Sequence, residues 1–137
     1  MLKRREEREF VFLILFENDF NNYDLNLIID NKKEVDESQF KVTDFIKDIF
    51  SGVKHNQIYI DELISKHSLK WGKDRISKVS INILRLAIYE ILFRNDIPKN
   101  VSINEAVELA KKYGEDSESS FINGILGSLC KSVENND

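Results

Sequence analysis

Apolar residues recur along this chain with the period of a helix. From Phe40 onward, Val42, Phe45, Ile46, Ile49, Phe50 and Val53 follow i, i+3, i+4, i+7 spacing, which places them on one helix face. Ile60, Leu63 and Ile64 mark a further helix. A longer one carries Ile76, Val79, Ile83, Leu84, Ala87, Ile88 and Ile91 inward. It stops near Asp96-Ile97-Pro98, because proline disfavours helical geometry at the residue before it. The first helix is predicted from about Lys3 to Phe20. Its stretch Phe10–Phe16 is apolar on every side, the mark of a central buried helix. Asn21, Asn22 and Asp24 end it, Leu25–Ile29 make at most a short helix, and Asp30–Ser38 is a polar loop. Ser65–Lys73 is basic and is broken at Trp71-Gly72.

Two helices close the chain. Ser102 precedes Glu105 by three residues, the capping-box spacing in which each side chain satisfies a backbone donor at a helix start. Ile103, Ala106, Val107 and Ala110 follow at helical spacing, and Gly114 falls where a left-handed cap is expected. Glu105 and Glu108 near the start and Lys111 and Lys112 near the end suit the helix dipole. The last helix runs from about Ser117 to Val133. The expectation is an all-α chain of six or seven helices forming one domain over residues 1–137. Five glycines and one proline are too few for strands joined by tight turns, and 42% apolar content with nine Phe is enough for a substantial core.

Composition narrows the chemistry. Cys130 is alone, which excludes an internal disulfide and a cysteine-built metal site. The seven apolar residues Phe10–Phe16 have no small-residue cleavage site after them, and no run approaches the ~18 residues of a membrane span, so a cytoplasmic protein is expected. There is no Gly-rich phosphate loop, no Cys/His ligand spacing and no GxSxG elbow. His55 and His67 read as solvated surface residues, Cys130 as a small packed hydrophobe, and Glu105 with Glu108 as helix-start acids without an ExxH partner. No catalytic residue, metal or cofactor is expected.

Charge adds a second theme. The net value is −4, which argues against a generic polyanion binder, but its distribution is uneven. Lys3, Arg4, Arg5 and Arg8 face only Glu6 and Glu7 within residues 3–8, and Lys66, Lys70, Lys73, Arg75 and Lys78 form a second basic stretch. Acidic residues collect around Asp30–Asp44, at Glu115–Glu118 and at the C-terminus. On a helical wheel Arg4, Arg5, Arg8, Phe12 and Phe16 fall within about a third of the circumference. Guanidinium groups beside exposed rings suit single-stranded nucleic acid, which offers phosphates and unpaired bases. The same stripe also fits the buried side of a central helix, with Phe12 inward and Phe16 one turn further round.

Four collinear segments carry a more specific signal: KWGKDRISKV, ILRLAIYEI, IPKNVSINEAVELAKKYG and SFINGIL, within Trp71–Leu126 and the residue before it. Together with the basic start KRREEREFVFLILFE and the segment IKDIFSGV, they resemble the transcription antitermination factor NusB family. The resemblance implies an all-helical fold of two small packed bundles without catalysis. It implies binding of the boxA element in ribosomal RNA leader transcripts, cooperatively with the small-subunit ribosomal protein NusE. It implies assembly with RNA polymerase and other Nus factors, and leaves open a free monomer or a homodimer. The RNA-binding roles of the family fall on Lys3, Arg4, Arg5 and Arg8, on the aromatics Phe16 and Phe121, and on Ser117 to Ser120. On this reading Phe121→Ala weakens RNA binding with little loss of helicity.

Two departures stand out. Glu6 and Glu7 dilute the arginine-rich start, and the usual VDRAILRLA reads VSINILRLA here, placing Ser80 and Asn82 on the face associated with the ribosomal-protein partner. Few phosphate contacts imply weak, salt-sensitive RNA affinity that a basic partner would strengthen. The competing readings are a protein–protein adaptor of similar fold without RNA contact and the recognition part of an RNA methyltransferase. The second lacks a cofactor-binding βαβ unit.

Overall fold

A computed structural model describes residues 3–21, 42–69 and 76–135, and among them it contains six helices and no strand. They are α1 (Arg4–Asn21), α2 (Asp44–His55), α3 (Gln57–Leu69), α4 (Lys78–Phe93), α5 (Lys99–Tyr113) and α6 (Asp116–Asn135). The all-α class read from the sequence is the class observed. The expected short helix at Leu25–Ile29, the loop at Asp30–Ser38 and the break at Trp71-Gly72 lie outside the described residues.

Two helix starts carry a side-chain cap. The Thr43 hydroxyl accepts the Ile46 amide at 3.2 Å and caps α2. The Ser77 hydroxyl accepts the Ser80 amide at 3.0 Å and caps α4. In α2 the predicted stripe Phe45, Ile46, Ile49, Phe50 and Val53 is buried as read. At its end the Asn56 amide returns to the Gly52 carbonyl at 3.0 Å, and α3 follows at once.

The capping box expected at Ser102 and Glu105 is absent. Helix α5 begins at Lys99, with Pro98 at the N-cap. The proline ring holds φ at −59°, close to the helical value, so the helix starts well upstream of Ser102. Ser102 is therefore already helical and buried, and its hydroxyl donates to Glu90 at 3.1 Å. Gly114 also departs from expectation. Its φ of −112° and ψ of −172° are extended and not left-handed, although its amide still closes the helix on the Ala110 carbonyl at 2.8 Å.

Helix α4 packs against each of the other five helices. Every side chain from Asn82 to Ile91 is buried, so it is surrounded on all sides. One group of helices, α1 and α2, lies against it. A second, α3, α5 and α6, lies around the remainder. The two bundles implied by the resemblance thus share α4. Their common core draws on Phe12, Ile14, Ile49, Ile83, Leu84, Ile88, Ile122 and Leu126.

Polar residues are built into this core. Arg85 donates to both carboxylate oxygens of Asp61 at 2.9 Å and lies 3.5 Å from Asp19, linking α4 to α3 and α1. His67, expected on the surface, is buried in α3, with Nδ1 sharing a 2.9 Å hydrogen bond with the Ser128 hydroxyl of α6. Cys130 packs against the core, and burial pushes its thiol pKa up. No helix among the described residues is long and apolar enough to cross a membrane.

Candidate nucleic-acid interface

The first two turns of α1 sort their charges between surface and core. Arg8 turns inward and is only 4% exposed. Its Nε and Nη2 donate to the two oxygens of Glu90, each at 2.9 Å, and Glu90 is itself fully buried. This corrects the expectation that Arg8 faces RNA: a buried carboxylate on α4 needs a counter-ion, and Arg8 supplies it. Glu7 turns inward too. It accepts a hydrogen bond from the Thr43 hydroxyl and pairs with Arg4 Nε at 3.3 Å. Glu7 therefore ties α1 to the start of α2 and, through Arg4, offsets part of the exposed charge.

Lys3, Arg4 and Arg5 remain exposed, as read. The Arg4 guanidinium lies 4.0 Å from the centroid of the Phe45 ring, which Arg94 also approaches at 5.2 Å and Arg8 at 5.6 Å. Three guanidiniums around one ring form a cation–π cluster that fixes Arg4 relative to α2. Arg94 is held by Asp48 and Asp96, both at 2.9 Å, and its pKa is raised chiefly by the hydrogen bond to Asp96. The same bond lowers Asp96 to about 2.

Arg5 is 69% exposed and forks onto Glu105 of α5, with Nε 3.0 Å from one carboxylate oxygen and Nη2 3.3 Å from the other. That hydrogen bond raises the Arg5 pKa. One turn further along α1, Glu9 accepts from Lys112 Nζ at 2.7 Å and from the Tyr113 hydroxyl at 2.5 Å. These two bonds lower the Glu9 carboxyl, while burial and Glu9 together push Tyr113 up to about 12. Glu9 and Glu105 were not singled out as cation partners from the sequence. They meet their partners across about a hundred residues, so no local spacing announces them.

The remaining site residues divide. Phe16 is half-buried, its ring centroid 6.0 Å from that of the buried Phe12. Ser117 and Ser120 are exposed on the first turns of α6. Phe121, next to them, is 4% exposed and belongs to the core. This corrects its expected place against RNA, because α6 turns its apolar stripe, Phe121, Ile122, Ile125, Leu126 and Leu129, inward. Ser80 and Asn82 are also corrected. Each is 1% exposed and cannot form a partner surface. The Ser80 hydroxyl donates to Glu118 of α6 at 3.3 Å. Asn82 Nδ2 donates to Asp19 at 3.2 Å and to the Lys78 carbonyl at 2.8 Å, while Asn82 Oδ1 accepts from Arg85. Both are interior joints between helices.

Among the described residues no group of His, Cys, Asp or Glu is arranged to hold a metal ion. Among the described residues the all-helical fold exposes Lys3, Arg4 and Arg5 at the start of α1 and Ser117 and Ser120 at the start of α6, groups of the kind that bind an anionic partner.

A family model described as the NusB family matches residues 5–131. The transcription antitermination protein NusB of Clostridium acetobutylicum is 44% identical over 133 residues, covering 97% of this chain and 98% of the relative. That of Clostridium novyi is 40% identical over 132 residues, covering 95% and 99%. Among solved structures, T. maritima NusB superposes with a TM-score of 0.81 at 41% identity, covering 95% of this chain and 92% of the other. A crystal structure of antitermination factors NusB and NusE in complex with dsRNA superposes with a TM-score of 0.79 at 27% identity, covering 94% and 96%. The chain belongs to the NusB family.

Proposed function

We propose that this chain is a non-enzymatic transcription antitermination factor. It binds the boxA RNA of ribosomal RNA leader transcripts cooperatively with NusE, and acts in the cytoplasm with RNA polymerase and other Nus factors. The observation that carries this reading is the superposition, over 94% of the chain, on a NusB that is bound to NusE and RNA. Lys3, Arg4 and Arg5 supply phosphate contacts, and Phe16, Ser117 and Ser120 supply base and sugar contacts. Arg8 contributes by holding the start of α1 in place.

These three phosphate contacts on single-stranded RNA give a salt slope no steeper than about −2 in log affinity against log salt. Affinity for RNA alone is therefore low, and a basic partner adds phosphate contacts of its own. Anisotropy of a labelled boxA RNA, titrated with and without NusE at two salt concentrations, tests this. Tighter binding with NusE is expected, and unchanged affinity overturns the cooperative reading. The adaptor alternative requires NusE binding with no RNA shift at any salt.

A further inference from the structure

Arg5, Lys111 and Lys112 line one groove between the start of α1 and the end of α5, with a volume of about 400 Å³. Each cation has a carboxylate beside it. Arg5 forks onto Glu105, Lys112 lies 2.7 Å from Glu9, and Lys111 lies 3.6 Å from Glu108. Two of these pairs cross between helices, so the fold gathers the charges and helical spacing does not. All three cationic side chains are more than half exposed.

With the cation in water in each pair, and the carboxylate part-buried at Glu105 and Glu9, these pairs are screened by salt at the cation side and are held only modestly. A phosphate offers arginine the same bidentate acceptor as a carboxylate does. Lys112 carries three donors, of which Glu9 takes one, so a phosphate can join it without displacing Glu9.

Resting on the RNA-binding reading, we propose that this groove is a phosphate track. It extends the RNA surface from Arg5 to Lys111 and Lys112 at the end of α5, and Glu105 is a stand-in anion that an RNA phosphate displaces from Arg5. The consequence is an exchange equilibrium. In the free protein Glu105 occupies the guanidinium, and RNA binding at Arg5 releases a carboxylate in place of a salt counter-ion.

The test uses the full chain with NusE and a short fluorescein-labelled single-stranded boxA RNA, over a range of salt. Glu105→Gln is expected to tighten RNA binding about two- to fivefold, the range set by losing one exposed competing pair. It should also steepen the salt slope by about 0.7, because Arg5 then releases a counter-ion. Lys111→Gln and Lys112→Gln should each weaken binding and make the slope shallower by about 0.7. Glu62→Gln on α3, exposed and equal in charge change, serves as the control. Thermal melts by circular dichroism confirm that each variant is folded. If Glu105→Gln and the lysine variants match Glu62→Gln while the wild type binds RNA, the groove proposal falls and the RNA reading stands. If the wild type binds no RNA, both fall. If the variants change NusE binding in the absence of RNA, the groove is a protein contact and the proposal is overturned.

Discussion

Arg8 of α1 and Glu90 of α4 lie 82 positions apart in sequence and join through paired 2.9 Å hydrogen bonds inside the core. The Ser102 hydroxyl completes the shell around Glu90. Breaking such a pair from one side leaves a buried charge without its partner, at a cost of about 3–5 kcal/mol. Glu90→Gln is therefore expected to lower unfolding free energy by that amount in urea titration. The double variant Arg8→Met with Glu90→Leu should recover most of the loss, since apolar replacement of a whole buried pair is often neutral. RNA affinity lost on changing Arg8 alone has to be read against this destabilisation.

Phe121→Ala separates core from interface. With Phe121 buried in α6, truncation is expected to cost about 3–5 kcal/mol and to lower the thermal transition sharply. Unchanged melting with weakened RNA binding would return the ring to the surface.

Two helical glycines should respond oppositely to alanine. A Cβ at Gly52 would overlap the Tyr89 ring, whose hydroxyl reaches Asp48 at 2.8 Å. Gly52→Ala is expected to destabilise by about 1–3 kcal/mol, because the ring has to leave its seat on α2. At Gly127 a Cβ meets nothing within 4 Å, so Gly127→Ala should stabilise by about 0.5–1 kcal/mol through the gain in helix propensity. Denaturant midpoints for the two variants check both signs.

Acid sensitivity follows from Asp19 and Glu9. Burial of Asp19 opposes its ionisation, but hydrogen bonds from Lys78 and Asn82 and the nearby Arg85 outweigh it, and its pKa falls below the ordinary 3.8. Lys112 and Tyr113 lower Glu9 below 4.5. As pH drops through these ordinary values, the unfolded chain takes up protons that the folded one refuses, so stability declines. The contribution is complete above about pH 5 and is lost progressively toward the lower folded values. Asp19→Asn should flatten part of that decline in urea midpoints measured from pH 6 to pH 3.

Helix positions and inward faces were legible because a 3.6-residue period is written locally. Val42 to Val53 and Ile83 to Ile91 needed no knowledge of neighbours. The errors at polar residues share one cause. Arg8, Ser102, Ser80, Asn82 and His67 are polar types that sit inside only when another helix brings a partner. Those partners are Glu90, Glu118, Asp19 and Ser128, none within one helical turn. Phe121 misled for the complementary reason: the family resemblance suggested a role, while the direction of its ring is set by the roll of α6 against α5 and α4. At the site, the exposure of Lys3, Arg4, Arg5, Ser117 and Ser120 was legible as ordinary polar behaviour. The carboxylates opposing the cations were not, since no spacing links Arg5 to Glu105.

Because α4 is enclosed by all five other described helices, its backbone amides have no private route to solvent. Amides from Ile83 to Ile91 should exchange with deuterium only when the whole molecule opens, so their protection should report the global unfolding free energy. Helix α1 and helix α6, each exposed along one side, should show faster exchange at their ends. If the α4 amides exchange faster than global unfolding allows, the two helix groups open separately along it, and the shared helix is a seam and not an axle.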